Sequence, residues 1–229
     1  MYTLHIANKN YSSWSLRPWV LMKVLGIPFE EHQVQFPTGS SFDLFRAFSP
    51  SGRVPCLTDD GWAVWDSLAI MEYLAERHEG VWPRDRRARA WARSAAAEMH
   101  SSFATLRNVC PMSCGVRVRP GEKSASLKQD LHRLGDLWND GLNRFGGPFL
   151  AGCDFTAVDA FFAPVGFRVQ SYGLEFNGAA DTYPALLLDL PAMREWYASA
   201  LAETWREPDH EAEVRAAGAV VEDFRAVAS

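Results

Sequence analysis

The chain has 229 residues, 48% of them apolar and 22% charged, with a formal net charge of −5. This is ordinary globular composition and excludes a disordered, collagen-like or coiled-coil chain; the acidic balance also argues against a general nucleic-acid binder, which needs a basic footprint. No run reaches the roughly 18 apolar residues of a membrane span, and the opening MYTLHIANKN lacks the basic flank of a secretory signal. Four cysteines, Cys56, Cys110, Cys114 and Cys153, show no Cys-x-x-Cys spacing and read as free thiols in a reducing cytoplasm.

Residues 1–80 mix strand and helix signals. Tyr2 to Ala7 alternates in period two, with Leu4 and Ile6 on one face, and predicts a strand. A polar stretch from Asn8 to Ser15 leads into a helix over Leu16 to Leu25, with a serine cap, Pro18 in the first turn and Gly26 as its stop. Phe29 to Gln35 predicts a second strand, and Phe42 to Phe48 a short helix halted by Ser49-Pro50. Val54 to Thr58 and Trp62 to Trp65 predict a hairpin around Asp59-Asp60-Gly61. Leu68, Met71, Leu74 and Ala75 then mark one face of a helix opening at Asp66-Ser67. The order is βαβαββα.

Beyond residue 80 strand signals nearly vanish. Helical patterns cover about 86–110, 123–145, 156–171, 191–205 and 209–226, separated by turns at Pro120-Gly121, Gly146-Gly147-Pro148 and Thr182-Tyr183-Pro184. The expectation is a small α/β domain over 1–80 and an all-α domain over 81–229. Thr156-Ala-Val-Asp159 is a capping-box pattern, so Asp159 is read as structural, and the apolar run from Ala160 to Val165 predicts a buried helix. Cys110 and Cys114 are four apart without further ligands at zinc spacing, so they are read as apolar lining of a helix and no metal site is predicted. Arg86, Arg89 and Arg93 share a helical face, read as solvated or as a domain or subunit contact. His210-Glu211-Ala-Glu213 lacks the second histidine of His-Glu-x-x-His and is read as a charged first turn.

Two segments carry a resemblance. Ser49-Pro50-Ser51-Gly52-Arg53-Val54-Pro55, placed before the third strand, and Asp66-Ser67, opening the third helix, resemble the motifs of the glutathione transferases. Ser12-Ser13-Trp14-Ser15-Leu16-Arg17 is similar to the zeta-class Ser-Ser-Cys-x-Trp-Arg, departing from it at Trp14 and Leu16. The resemblance covers the whole chain and implies a thioredoxin-like N-terminal domain joined to an all-α helical-bundle C-terminal domain. It implies glutathione as co-substrate and a small, largely apolar electrophile as the second substrate. A zeta-type cis-trans isomerase and a non-catalytic glutathione-binding protein are the alternatives. It further implies a cis Val54–Pro55 bond, with the Val54 backbone pairing with the peptide, Asp66 and Ser67 holding the γ-glutamyl end, and Arg53 and Gln35 near the glycyl end. The second substrate is expected near Asn10, Tyr11, Met99 and Met112. A homodimer is implied, through the strand 62–65 and helix 67–78 edge against the 86–110 helix; no nucleic-acid or membrane partner is expected.

The implied chemistry needs a thiolate. A free thiol has a pKa near ~8.5, and lowering it by about two units takes roughly 2.7 kcal/mol. One charge-assisted hydrogen bond supplies about 1.5–3 kcal/mol. The hydroxyl of Ser12 or Ser13 at a helix start is therefore sufficient, with Tyr11 as a phenolic rival. Between the first strand and the first helix there is no cysteine, which argues against disulfide exchange.

Overall fold

Leu4 and Ile6 are fully buried on one side of β1 (Tyr2–Ile6), as their alternation predicts. In the computed structural model, which describes residues 1–227, β1 lies inside a four-stranded sheet of order β2-β1-β3-β4. It pairs in parallel with β2 (Phe29–Gln33) and antiparallel with β3 (Cys56–Asp59), which continues antiparallel into β4 (Trp62–Trp65). The β3–β4 hairpin turns at Asp60 and Gly61, whose φ angles are 46° and 83°, the left-handed pair that a two-residue hairpin turn requires. α1 (Ser13–Val24) supplies the crossover between β1 and β2, α2 (Phe42–Arg46) follows β2, and α3 (Ser67–Ala75) packs against α1.

α1 is the wall that both halves of the molecule share. Its Leu16, Trp19, Val20, Leu21 and Met22 are fully buried. One side meets the sheet and α3, the other α7 (Ala157–Tyr172) and α9 (Pro191–Ala202). α7 is buried almost throughout, as a helix apolar on every side must be. Its first turn is closed by Asp159, whose carboxylate accepts from Leu150 N (3.0 Å), Thr156 N (3.0 Å) and the Tyr183 hydroxyl (2.8 Å). Ala157 N bonds the Val81 carbonyl at 2.8 Å, tying the segment that joins the halves to α7.

The second half is largely helical, but it departs from the all-helical expectation in two places. The 86–110 pattern is two helices, α4 (Arg86–Ser101) and α5 (Ala104–Val109), broken where Ser102 is extended and Phe103 adopts φ 58°. The 209–226 pattern stops at Ala217: α10 (Pro208–Ala217) gives way to β6 (Gly218–Asp223), which pairs antiparallel with β5 (Val116–Pro120). Val116-Arg-Val-Arg alternates in period two, and Val220-Val221 is β-branched, so both strands had a local signal. At Gly218 a Cβ would overlap the Arg119 carbonyl, so the ribbon needs glycine there. Cys110 and Cys114 lie in the loop between α5 and β5, not on a helix. α6 (Ala125–Phe145) and α8 (Tyr183–Asp189) complete the bundle, α8 starting at the segment read as a turn. Across the two halves Arg93 on α4 forms a bidentate pair with Glu72 on α3, at 3.1 and 2.9 Å, so this arginine makes a contact between domains.

Candidate active site

The β1–α1 connection builds one wall of a cleft. Its residues 8–10 are tied to the end of α9, where the Glu203 carboxylate accepts from Lys9 N (2.6 Å) and Asn10 N (3.2 Å). The Lys9 carbonyl takes the Trp196 indole N–H at 2.9 Å. With the loop fixed, Tyr11, Ser12, Ser13 and Trp14 line the cleft. First-turn amides of a helix have no intrahelical acceptor and favour negative charge. No side chain caps α1. The Ser12 hydroxyl donates to Ser15 Oγ at 2.7 Å, and Ser15 Oγ also accepts from Ala7 N at 3.3 Å. Among the described residues the Ser13 hydroxyl has no hydrogen-bond partner.

Arg53 and Val54 extend this wall. The Val54–Pro55 bond is cis, as the resemblance implies. The loop before it turns at Gly52, with φ 65° and the Phe42 ring packed where a Cβ would stand. Asp66 and Ser67, at the start of α3, do not line the cleft. Asp66 caps α3 through Leu68 N (2.8 Å) and adopts φ 76°, an uncommon conformation for a residue with a Cβ, of a kind that clusters at ligand sites. Ser67 is fully buried, with Arg17 Nη1 at 3.4 Å from its hydroxyl.

The opposite wall comes from the second half of the chain. α7 pins the loop after α5 by its carbonyls: Arg168 Nε donates to Cys110 O (2.8 Å), Tyr172 Oη to Pro111 O (2.8 Å) and Ser171 Oγ to Ser113 O (2.7 Å). Pro111, Met112, Arg107 and Arg168 thereby line the cleft, with Phe36 and Phe45 from the first half and His210 and Glu213 from α10. The cavity measures about 290 Å³.

The charged first turn of α10, read from the sequence as that and no more, packs on this site. Glu211 accepts the Tyr11 hydroxyl at 2.7 Å and pairs with Arg225, and the His210 ring stacks on Tyr11 at 4.9 Å between centroids. Burial, then the bond to Glu211, push the Tyr11 phenol far above its ordinary range. Its ring lines the cleft while its proton is committed elsewhere.

Of the sequence-derived candidates, Ser12, Ser13, Arg53, Val54, Tyr11 and Met112 come together around one cavity. Pro55, Asp66 and Ser67 are not part of its lining, and neither are Asn10, Met99 and Gln35. Asn10 turns inward, donating to the Ala200 carbonyl at 2.5 Å, because its side chain closes the end of α9. Met99 is fully buried in the core. Gln35 lies exposed beyond the end of β2, and the glutamine that reaches across the molecule is Gln33, which bonds Glu203 at 2.5 Å. Cys110 and Cys114 are buried, Cys114 Sγ donating to the Lys9 carbonyl at 3.3 Å. No group of side chains suited to a metal occurs among the described residues. Sequence reasoning missed Arg107 and Arg168, although Arg168, the one charged residue of the largely apolar α7 besides the capping Asp159, was a signal.

A thioredoxin-like sheet that shares helix α1 with a helical bundle, with hydroxyls gathered at the start of that helix over the cleft, defines a two-domain protein of the thioredoxin-like class. Residues 11–77 match the family model described as the glutathione S-transferase N-terminal domain. The chain is 28% identical over 165 residues to glutathione S-transferase theta-1 of Rattus norvegicus, covering 65% of this chain and 68% of that one. It is 27% identical over 180 residues to the zeta-class glutathione S-transferase of Euphorbia esula, covering 77% and 79%. The glutathione transferase homolog of Burkholderia GL BGR1, solved with bound glutathione, superposes with a TM-score of 0.66 at 22% identity, over 87% of this chain and 97% of that one. Over its first domain the chain thus matches the glutathione S-transferase N-terminal domain, and its relatives and its fold are those of glutathione S-transferases.

Proposed function

We propose that this protein is a glutathione transferase that holds the glutathione thiolate beside Ser12 and Ser13 and directs it at an electrophile in the cleft. The observation that carries this reading is the shared wall: both serines, Arg53 and Val54 line a cavity closed by residues of the helical half. Val54 offers main-chain groups to the cysteinyl backbone, in the manner of an added strand. Asp66 and Ser67, at the positive end of α3, receive the γ-glutamyl ammonium and carboxylate. Arg53 is left for the glycyl carboxylate. A serine hydroxyl and the first-turn amides of α1 then favour the thiolate over the thiol. The sulfur lone pair forms a carbon–sulfur bond, and the leaving group departs with its electron pair.

Tyr11 is the weaker candidate for this hydroxyl, because its proton already goes to Glu211. Ser12 must release Ser15 to reach sulfur, whereas Ser13 has no bond to release. The protein works as a homodimer in a reducing cytoplasm, where detoxification of electrophiles would fall to it. Trp62 and Trp65, 68% and 45% exposed on edge strand β4, support the expected subunit contact.

The test is the ultraviolet absorbance of bound glutathione against pH. The thiolate should appear at a pH midpoint below that of free glutathione, and Ser12→Ala should raise the midpoint by about one to two units. A rise in Ser13→Ala alone moves the role one residue along; a rise in Tyr11→Phe alone moves it to the phenol. No shift in the wild type overturns the reading.

A further inference from the structure

Three arginines converge where α5 and α7 meet the start of α1, and none of them forms an ion pair among the described residues. Arg17, 1% exposed, donates only to the Ser67 hydroxyl, and its Nε has no partner. Arg107 donates to the main-chain carbonyls of His100 and Ser102. Arg168, 4% exposed, donates to the carbonyls of Cys110 and Pro164. Among the described residues every acceptor of these three guanidiniums is a neutral oxygen. The Trp14 indole lies between two of them, with Arg17 at 4.0 Å and Arg107 at 5.4 Å from its ring centroid. Trp14 stands where the zeta-like motif has cysteine, so this residue builds the cluster.

Buried cations without counter-ions are destabilising, and they repel one another. Burial first, then repulsion from Arg107, pulls the Arg168 guanidinium down to about 10. Asp66 and Asp130 favour the charges of Arg17 and Arg107 from a distance, but neither makes an ion pair with an arginine among the described residues. Asp130 instead accepts from Leu106 N at 2.9 Å, and Asp66 caps α3. Around the cleft itself stand Arg53, Arg107 and Arg168 against the single carboxylate of Glu213. The rest of the lining includes Trp14, Phe36, Phe45 and Met112, an apolar and aromatic surround.

We infer that the second substrate is an apolar, aromatic-sized electrophile bearing a carboxylate, which Arg168 and Arg107 bind from the helical half of the cleft. The inference rests on the transferase reading, in which glutathione occupies the first domain. Arg17 touches Ser67 and belongs to that glutathione side. Arg107 and Arg168 share their wall with Pro111 and Met112, where the electrophile lies. Arg168 spends Nε and Nη1 on carbonyls and keeps its other donors for a carboxylate.

The probes are 4-chloro-3-nitrobenzoate and its neutral analogue 4-chloro-3-nitrobenzamide. With each, the glutathione sulfur bonds to the ring carbon bearing chlorine, and chloride leaves with the bonding pair. The wild type should prefer the acid by at least about ten-fold in kcat/KM. Arg168→Gln should erase most of that preference, and Arg168→Lys should keep part of it. Because Arg168 also holds the Cys110 carbonyl, Arg107→Gln is measured beside it and should lower the same ratio. Binding of unreactive 4-nitrobenzoate and 4-nitrobenzamide is followed by calorimetry without glutathione, and S-methylglutathione binding is measured separately. Equal handling of acid and amide by the wild type overturns the inference, as does an unchanged ratio in correctly folded arginine variants. If S-methylglutathione binds while the acid gains nothing, the inference fails and the transferase reading survives. Should the acid bind in an Arg168-dependent way while S-methylglutathione does not bind, the anion site stands and the transferase reading fails.

Discussion

The two ends of α7 each bury a charge, and they treat it in opposite ways. Near the N-terminal end Asp159, fully buried, has three donors closed around its carboxylate. Near the C-terminal end Arg168 is almost as buried, yet only neutral carbonyls reach it and part of its guanidinium is left over the cleft. A buried charge whose bonds are all made inside the chain serves folding. One whose donors remain open is set for a ligand. Burial alone does not tell the two apart; the count of satisfied bonds does.

The sharpest way to break this comparison is at Asp159. Asp159→Ala would orphan Leu150 N, Thr156 N and the Tyr183 hydroxyl together, and each buried unpaired donor costs about 1–3 kcal/mol. Denaturant unfolding should show a loss of about 3–5 kcal/mol, among the largest for a single site. A loss under 1 kcal/mol would mean that the closed network contributes little to folding.

The same carboxyl should leave a mark in the pH dependence of stability. Burial, opposed by its hydrogen bonds, raises Asp159 to about 6. A carboxyl that holds its proton more tightly in the fold than in the unfolded chain stabilises the fold while protonated. Its contribution is therefore fully present below about pH 4 and lost as pH rises through about 6, to the extent of roughly 3 kcal/mol. Asp159→Asn should lose stability overall and flatten the slope between pH 4 and 6. An identical slope in wild type and variant would assign the effect to other groups.

On the ligand side the expected effects fall on binding. Ser67→Ala should weaken glutathione by about 1–3 kcal/mol in calorimetry, the range for a lost charge-assisted partner. Arg168→Met should alter stability by less than about 1 kcal/mol, because relief of an unpaired buried cation offsets the lost bond to Cys110. A loss as large as that of Asp159→Ala would place both ends of α7 in the structural class. The smallest effect belongs to the exposed pair between α3 and α4: Arg93→Ala should cost no more than about 1 kcal/mol, read in the same unfolding experiment.

What the sequence by itself determined is whatever depends on neighbours a few residues away. Period two in Tyr2–Ile6, the left-handed turn at Asp60-Gly61, the Thr156–Asp159 closure and the loop from Ser49 to Pro55 are all local, so their chemistry is written at fixed spacing. The serines at the start of α1 were legible for the same reason, since a helix start advertises its own unpaired amides. Only the tertiary structure decided which surfaces meet. Tyr11 lost its standing as a free phenol to Glu211, 200 residues along the chain, and Arg225 joins them from 214 residues away. Asn10 and Gln35 differ from Ser12 and Val54 by direction rather than type, and direction depends on where α9 closes. β5 and β6 pair across roughly a hundred residues, so the alternation in Val116–Arg119 had no visible partner in the sequence. Arg17, Arg107 and Arg168 stand on three separate helices, and nothing in the period of any one of them records that the other two are near. Local spacing encodes elements because the backbone repeats every few residues; a site assembled from several elements is encoded only in their packing.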